Sequence, residues 1–196
     1  MTFTVKHDLD KLNKKLYGFE KNLAAKAGGQ AINRTMATVR SRAVKAISAE
    51  TSVKQKELRA NISIASKASN RTLKATLSAV EAKAKNLIHF VSPAQRNANT
   101  FRRRVSKGFK HPGVKAKAWG KSKHYDGTFI GTGRGGNLRV FKRTSGASLP
   151  LQAVYGPSPR LTFDSSKIEG VMKRTVAERF RIELSAAINN QIRRQK

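Results

Sequence analysis

The chain has 196 residues, with 41 Lys+Arg against 11 Asp+Glu and a formal net charge of +30. The absence of cysteine excludes disulfides, thiolate zinc sites and cysteine nucleophiles, and no run approaches the roughly 18 apolar residues of a membrane span. So much positive charge on a small body repels itself and calls for an anionic partner: nucleic acid, an acidic protein surface or anionic lipid.

The length fits a single domain over 1–196, and 38 % hydrophobic residues imply a modest core. Charge is unevenly spread. Residues 82–163 carry +16, with Asp126 as their only acid, whereas both ends mix signs as solvated helices do. MTFTVKHDLDKLNKK has no apolar h-region, so no secretion signal is expected.

In chain order, Leu9, Leu12, Leu16, Phe19 and Leu23 recur at helical intervals, Gly28-Gly29 interrupt, and Ile32, Met36, Val39, Ala43 and Ile47 resume the stripe. This predicts one long helix over about 7–48, with a kink or break at the glycines. A straight helix of that length spans about 63 Å, against a diameter of roughly 42 Å for a compact chain of this size. The first five residues of the stripe are therefore candidates for a subunit interface. Thr51 or Ser52 is expected to cap a short helix over 53–60.

Alternation in Asn61–Ser66 and again in 72–80 predicts two strands joined by a hairpin loop at Lys67–Asn70, and Asn86–Val91 reads as a third strand. Residues 92–126 form a basic loop insertion punctuated by Pro93, Gly108, Pro112 and Gly113, with a short strand at Val114–Trp119. Thr128–Gly131 and Leu138–Arg143 suit a hairpin around a glycine-rich turn, and Leu149–Pro159 is extended. A final helix, capped by Asp164, Ser165 or Ser166, runs to about 193 with a stripe of Ile168, Val171 or Met172, Val176, Phe180, Leu184, Ile188 and Ile192. The expected fold class is α+β: an antiparallel sheet of five or six strands over 61–160, with the C-terminal helix over 164–193 packed on it.

Few residues suggest catalysis. Gly131-Thr132-Gly133-Arg134-Gly135-Gly136 contains GxGxxG, but a strand-like Leu138–Phe141 follows where a dinucleotide site needs a helix, so a hairpin turn is expected. Ser122, His124 and Asp126 sit too close together on one segment to build a triad. Carboxylates are too sparse for a two-metal site or a glycosidase pair. The segment after Val53 lacks the second helix of a helix-turn-helix. No catalytic residue, metal or cofactor is expected. The strongest chemical feature is a cationic run: Arg102, Arg103, Arg104, Lys107, Lys110, Lys115, Lys117, Lys121 and Lys123, with Arg134 beyond it. Phe101, Phe109, Trp119 and Tyr125 interleave the run. These cations are candidates for contact with DNA phosphates or with acidic protein.

Ala31-Ile32-Asn33-Arg34, with Glu50-Thr51-Ser52-Val53 leading into Lys56-Glu57-Leu58-Arg59, resembles the N-terminal half of the phage minor tail protein Z family, whose familiar members are lambda-type tail completion proteins. The order of later features, from the basic middle to the C-terminal helix with Phe180 and Leu184, extends the resemblance over 30–190. It implies a structural virion protein acting at the head-proximal end of the tail in tail completion and head–tail joining. The implied location is the virion, after assembly in the host cytoplasm. The implied partners are sister copies in a ring around the DNA path, most simply a hexamer, and tail tube, terminator, neck or connector proteins, with non-specific contact to genomic DNA and none to membrane. The alternative is a non-specific nucleic-acid-binding protein acting through the basic middle segment. Six copies would carry about +180, while a ring roughly 40 Å tall encloses only about 24 phosphate charges. Much of the charge is therefore expected to face acidic neighbours, with a subset at the channel.

Overall fold

The computed structural model describes residues 2–6, 21–80, 83–97, 113–145 and 149–194. The described residues fall into two compact units. The first draws on Met1–Ala46, Gln55–Glu81 and Phe163–Lys196; the second draws on Ile47–Lys54 and Ala82–Thr162.

The first unit contains a three-stranded antiparallel sheet in the order β1-β3-β2, formed by β1 (Thr2–Lys6), β2 (Ile62–Ser66) and β3 (Lys74–Ala79). Phe3 and Ile64 both sit opposite Leu77, and the β2 register shifts between Ile64 and Ser66. β1 was not anticipated, although Thr2, Phe3, Thr4 and Val5 have strand composition.

Helix α1 (Lys21–Thr51) runs without interruption through Gly28-Gly29. The glycines do not break it. Both are buried, and a Cβ on Gly29 would lie 3.4 Å from the Ser69 carbonyl oxygen. The expected start near residue 7 lies outside the described residues. Over the described part, Leu23, Ala27, Ile32, Met36, Val39, Ala43 and Val44 are buried within a single copy. At 100° per residue they span roughly two-thirds of the helix circumference, a wider stripe than the narrow one expected.

The residues expected to cap the second helix instead close the first. Thr51 is the last residue of α1, and its hydroxyl donates to the Ile47 carbonyl at 2.7 Å. Ser52 follows with φ +57, the left-handed residue common just past a helix end. Helix α2 then spans Gln55–Asn61 and buries Leu58.

The second unit carries the hairpin β4 (Val114–Ala118) and β5 (Lys121–Tyr125), and a separate sheet in the order β6-β7-β8: β6 (Thr128–Thr132), β7 (Leu138–Arg143) and β8 (Leu151–Ala153). Among the described residues the expected single sheet is thus three small ones. Between β5 and β6 the chain turns at Gly127, with φ +68. The buried Thr128 hydroxyl donates to the Tyr125 carbonyl at 2.6 Å and accepts from the Val114 N–H at 3.1 Å, so a side chain stands where a ladder would continue. The expected third strand is a 3-10 turn at Leu87–Phe90, flanked by isolated bridges Asn86–Tyr155 and Val91–Ala116. Its Leu87, Ile88 and Phe90 are all buried, and burial of consecutive residues defeats the alternation a half-buried strand requires. The supposed loop at 92–126 contains helix α3 (Pro93–Asn97) and the whole β4–β5 hairpin; residues 98–112 lie outside the described residues. Helix α4 (Pro159–Phe163) follows β8.

Helix α5 (Ser166–Arg193) starts where expected, with the Ser165 hydroxyl accepting from the Ile168 N–H. It buries Ile168, Met172, Thr175, Phe180, Leu184 and Ala187 in the first unit, whereas Ile192 is exposed. Arg42 pairs with Glu178 at 2.7 Å and Arg34 with Glu183 at 4.0 Å. Rising numbers on α1 meet falling numbers on α5, so the two helices run antiparallel.

Candidate anion-binding surface

The tail-like motif residues hold the first unit together. Ala31 and Ile32 are fully buried. Asn33 donates to the Ala68 carbonyl at 2.9 Å and accepts from the Ala68 N–H at 2.8 Å, acting as a strand partner to the β2–β3 loop. Two helical turns further on, Arg40 donates to the carbonyls of Ile62 at 2.7 Å and Arg59 at 2.7 Å, which fastens the end of α2 and the start of β2 to α1. Charge-assisted bonds of this kind are worth about 1.5–3 kcal/mol each.

The second unit holds the candidate site. Of the predicted cations, Lys115, Lys117, Lys121, Lys123 and Arg134 are described and exposed; Arg102, Arg103, Arg104, Lys107 and Lys110 lie outside the described residues. The hairpin pairs Lys115 with His124 and Lys117 with Ser122, and it pairs Ala116 with Lys123 and Ala118 with Lys121. Directly opposed residues share a face. Lys115 and Lys117 therefore stand on one face, and Lys121 and Lys123 on the other, beside the buried Val114, Ala116 and Ala118. The run is divided between two faces rather than forming one patch. Trp119 (φ +52) and Gly120 (φ +72) make the tight β4–β5 turn. A Cβ on Gly120 would lie 2.8 Å from the Ala49 carbonyl oxygen.

Arg134 sits at the tip of the β6–β7 turn, closed by the Gly133 N–H to the Asn137 carbonyl at 2.9 Å. GxGxxG is thus a hairpin turn, as its flanking strands require. His124 meets Asp126 at 3.3 Å on a solvent-exposed turn. Burial pushes the Tyr125 phenol above its usual pKa, and the Lys123 ammonium lies 5.9 Å from its ring centroid.

Two grooves lie on this unit, and the first adds Lys85, Arg96 and Arg139, which sequence reasoning missed. The first, of about 610 Å³, is lined by Lys85, Asn86, His89, Arg96, Arg139 and Tyr155 among others. The second, of about 500 Å³, is lined by His89, Ser92, Gln95, Lys115, Lys117 and Ser122 among others. His89 borders both. Among the described residues no carboxylate lines either groove.

Three side-chain contacts with the backbone build this arrangement. Asn86 accepts from the Val140 N–H at 2.9 Å and donates to its carbonyl at 3.3 Å, which sets Lys85 beside Arg139 across 54 residues of sequence. Arg96 Nε donates to the Val91 carbonyl at 3.0 Å. The Gln95 amide donates to the Lys115 carbonyl at 2.8 Å and accepts from its N–H at 3.1 Å, which ties α3 to β4. No spacing in the sequence announces these pairings, although each polar residue involved stands next to a groove cation.

Among the described residues no group of three or more His, Asp or Glu is placed to hold a metal ion, and no helix is long and apolar enough to cross a membrane. Neither the curated proteins nor the solved structures contain a match to this chain. A family model for prophage minor tail protein Z (GPZ) matches residues 7–196. That span takes in the Asn33 and Arg40 clamps of the first unit as well as both grooves of the second, and it indicates a structural role alongside other tail proteins in the virion. The chain belongs to the prophage minor tail protein Z family.

Proposed function

We propose that this protein completes the tail at its head-proximal end, forming a closed ring of copies around the DNA path and making the tail competent to join the filled head. The single observation that carries this reading is the family match across 7–196. The charge adds direction: a molecule of net charge +30 needs anionic neighbours, and tail tube, terminator, neck and connector proteins are the neighbours such a position offers. A ring requires a heterologous contact that closes. The six-fold case is favoured by the resemblance, with Leu9, Leu12, Leu16 and Phe19 as the residues proposed to meet a sister copy. Leu23, the fifth residue of that stripe, is only 8 % exposed in a single copy, so it contributes least to such a contact.

The test is reconstitution. Tails assembled without this chain should fail to join filled heads, and adding the purified protein should restore infectious particles. Tails that join heads equally well without it would refute the proposal.

A further inference from the structure

We infer that the two grooves of the second unit form one track for the phosphodiester backbone of duplex DNA. The inference rests on reading that unit's cationic surface as a binding surface, and it does not require ring closure. Lys85, Arg96 and Arg139 line the first groove, Lys115 and Lys117 line the second, and His89 joins them. Five permanent cations thus border two grooves that share His89, and among the described residues no carboxylate lines either.

Position and sign both favour a polyphosphate over an acidic protein. A protein–protein interface is distinguished by an apolar, charge-depleted core. A surface whose charged residues are all cations, rich in Arg and Lys, is the footprint of nucleic acid. The Arg96 guanidinium is oriented by its Nε bond to the Val91 carbonyl, which leaves its terminal N–H groups for a phosphate. Lys115 and Lys117 are two residues apart on one strand face and therefore stand about 6.6 Å apart along it, so they meet successive points on an extended anion. None of the contacts reads a base edge, so binding is indifferent to sequence.

The experiment is fluorescence anisotropy of the full chain with a short mixed-sequence duplex between about 50 and 200 mM salt. Five phosphate contacts predict a log–log slope of about −4.5, a fall in affinity of roughly 500-fold across that range. The variant Lys85→Gln/Arg96→Gln/Arg139→Gln should reduce the slope to about −1.8 and the fall to roughly 12-fold. The control Lys45→Gln/Lys67→Gln/Arg71→Gln removes the same charge from exposed positions of the first unit, and it should keep nearly the full slope. Should the triple variant not fold, as judged by circular dichroism, Lys85→Gln/Arg139→Gln leaves the Arg96–Val91 bond intact and should lower the slope by about 1.8.

Equal loss in both triple variants would mean bulk charge alone and would overturn the track. Binding of poly-glutamate in preference to the duplex would overturn it in favour of an acidic protein. Incorporation of the same variants into tails is scored separately: a groove variant that enters tails but loses duplex affinity supports the track and leaves the assembly proposal standing, whereas a wild-type chain that binds duplex but never enters tails defeats only the assembly proposal.

Discussion

The two units use charge in opposite ways. The first contains 23 Lys+Arg and 9 Asp+Glu, the second 18 Lys+Arg and 2 Asp+Glu. In the first, five cations have partners within the unit: Arg34 and Arg179 meet Glu183, Arg42 meets Glu178, Lys173 meets Glu169, and Arg40 donates to two backbone carbonyls. In the second, side-chain contacts to the backbone through Asn86, Gln95, Arg96 and Thr128 fix the shape, and Lys115, Lys117, Lys121 and Lys123 stand exposed. Substitutions in the first unit should therefore register as stability and substitutions of second-unit cations as binding.

The largest expected effect is on the second unit's scaffold. Gly120→Val places a β-branched residue at φ +72 with its Cβ 2.8 Å from the Ala49 carbonyl oxygen; it should cost about 2–4 kcal/mol in urea unfolding. Next, Arg40→Ala leaves the Ile62 and Arg59 carbonyls without their donor and should cost about 2–3 kcal/mol, with little change in duplex affinity. Arg40→Lys should recover less than half of that loss, because one ammonium replaces a planar fork that reaches two carbonyls at once.

The hairpin sharpens the contrast further. Lys115→Ala/Lys117→Ala should weaken duplex binding by roughly tenfold or more at low salt, with stability changed by less than about 0.5 kcal/mol. Lys121→Ala/Lys123→Ala, on the opposite face, should weaken it severalfold less. The smallest effect belongs to a partly exposed ion-pair network: Glu183→Gln should cost about 0.5–1 kcal/mol. A larger effect on duplex binding than on stability there would break the division of labour between the units.

How much of this was readable in advance follows from the physics of each element. The helices were legible because their apolar positions recur every three or four residues: Ile32, Met36, Val39 and Ala43 in α1, and Ile168, Phe180 and Leu184 in α5, are all buried. The Gly-rich hairpin turn was legible from its flanking strands. The continuity of the helix through Gly28-Gly29 was hidden, because a helix-breaking glycine and one buried inside a packed helix look alike until the neighbours are placed. The division of the sheet depends on the Thr128 hydroxyl and on a buried 3-10 turn, neither of which has a periodic signature. The candidate site was half legible. Adjacent lysines announced themselves, but Lys85 and Arg139 come together only through Asn86 and Val140, and nothing local in the sequence encodes that meeting.

The central claim is that this family member sits at the top of the tail as a ring of copies. Cryo-microscopy of intact particles tests it most directly. The account predicts density for this chain as a closed ring at the head-proximal end of the tail, with Lys85, Arg96 and Arg139 within reach of the enclosed DNA. Particles that lack the chain, or that carry it only at the distal tip, would contradict it.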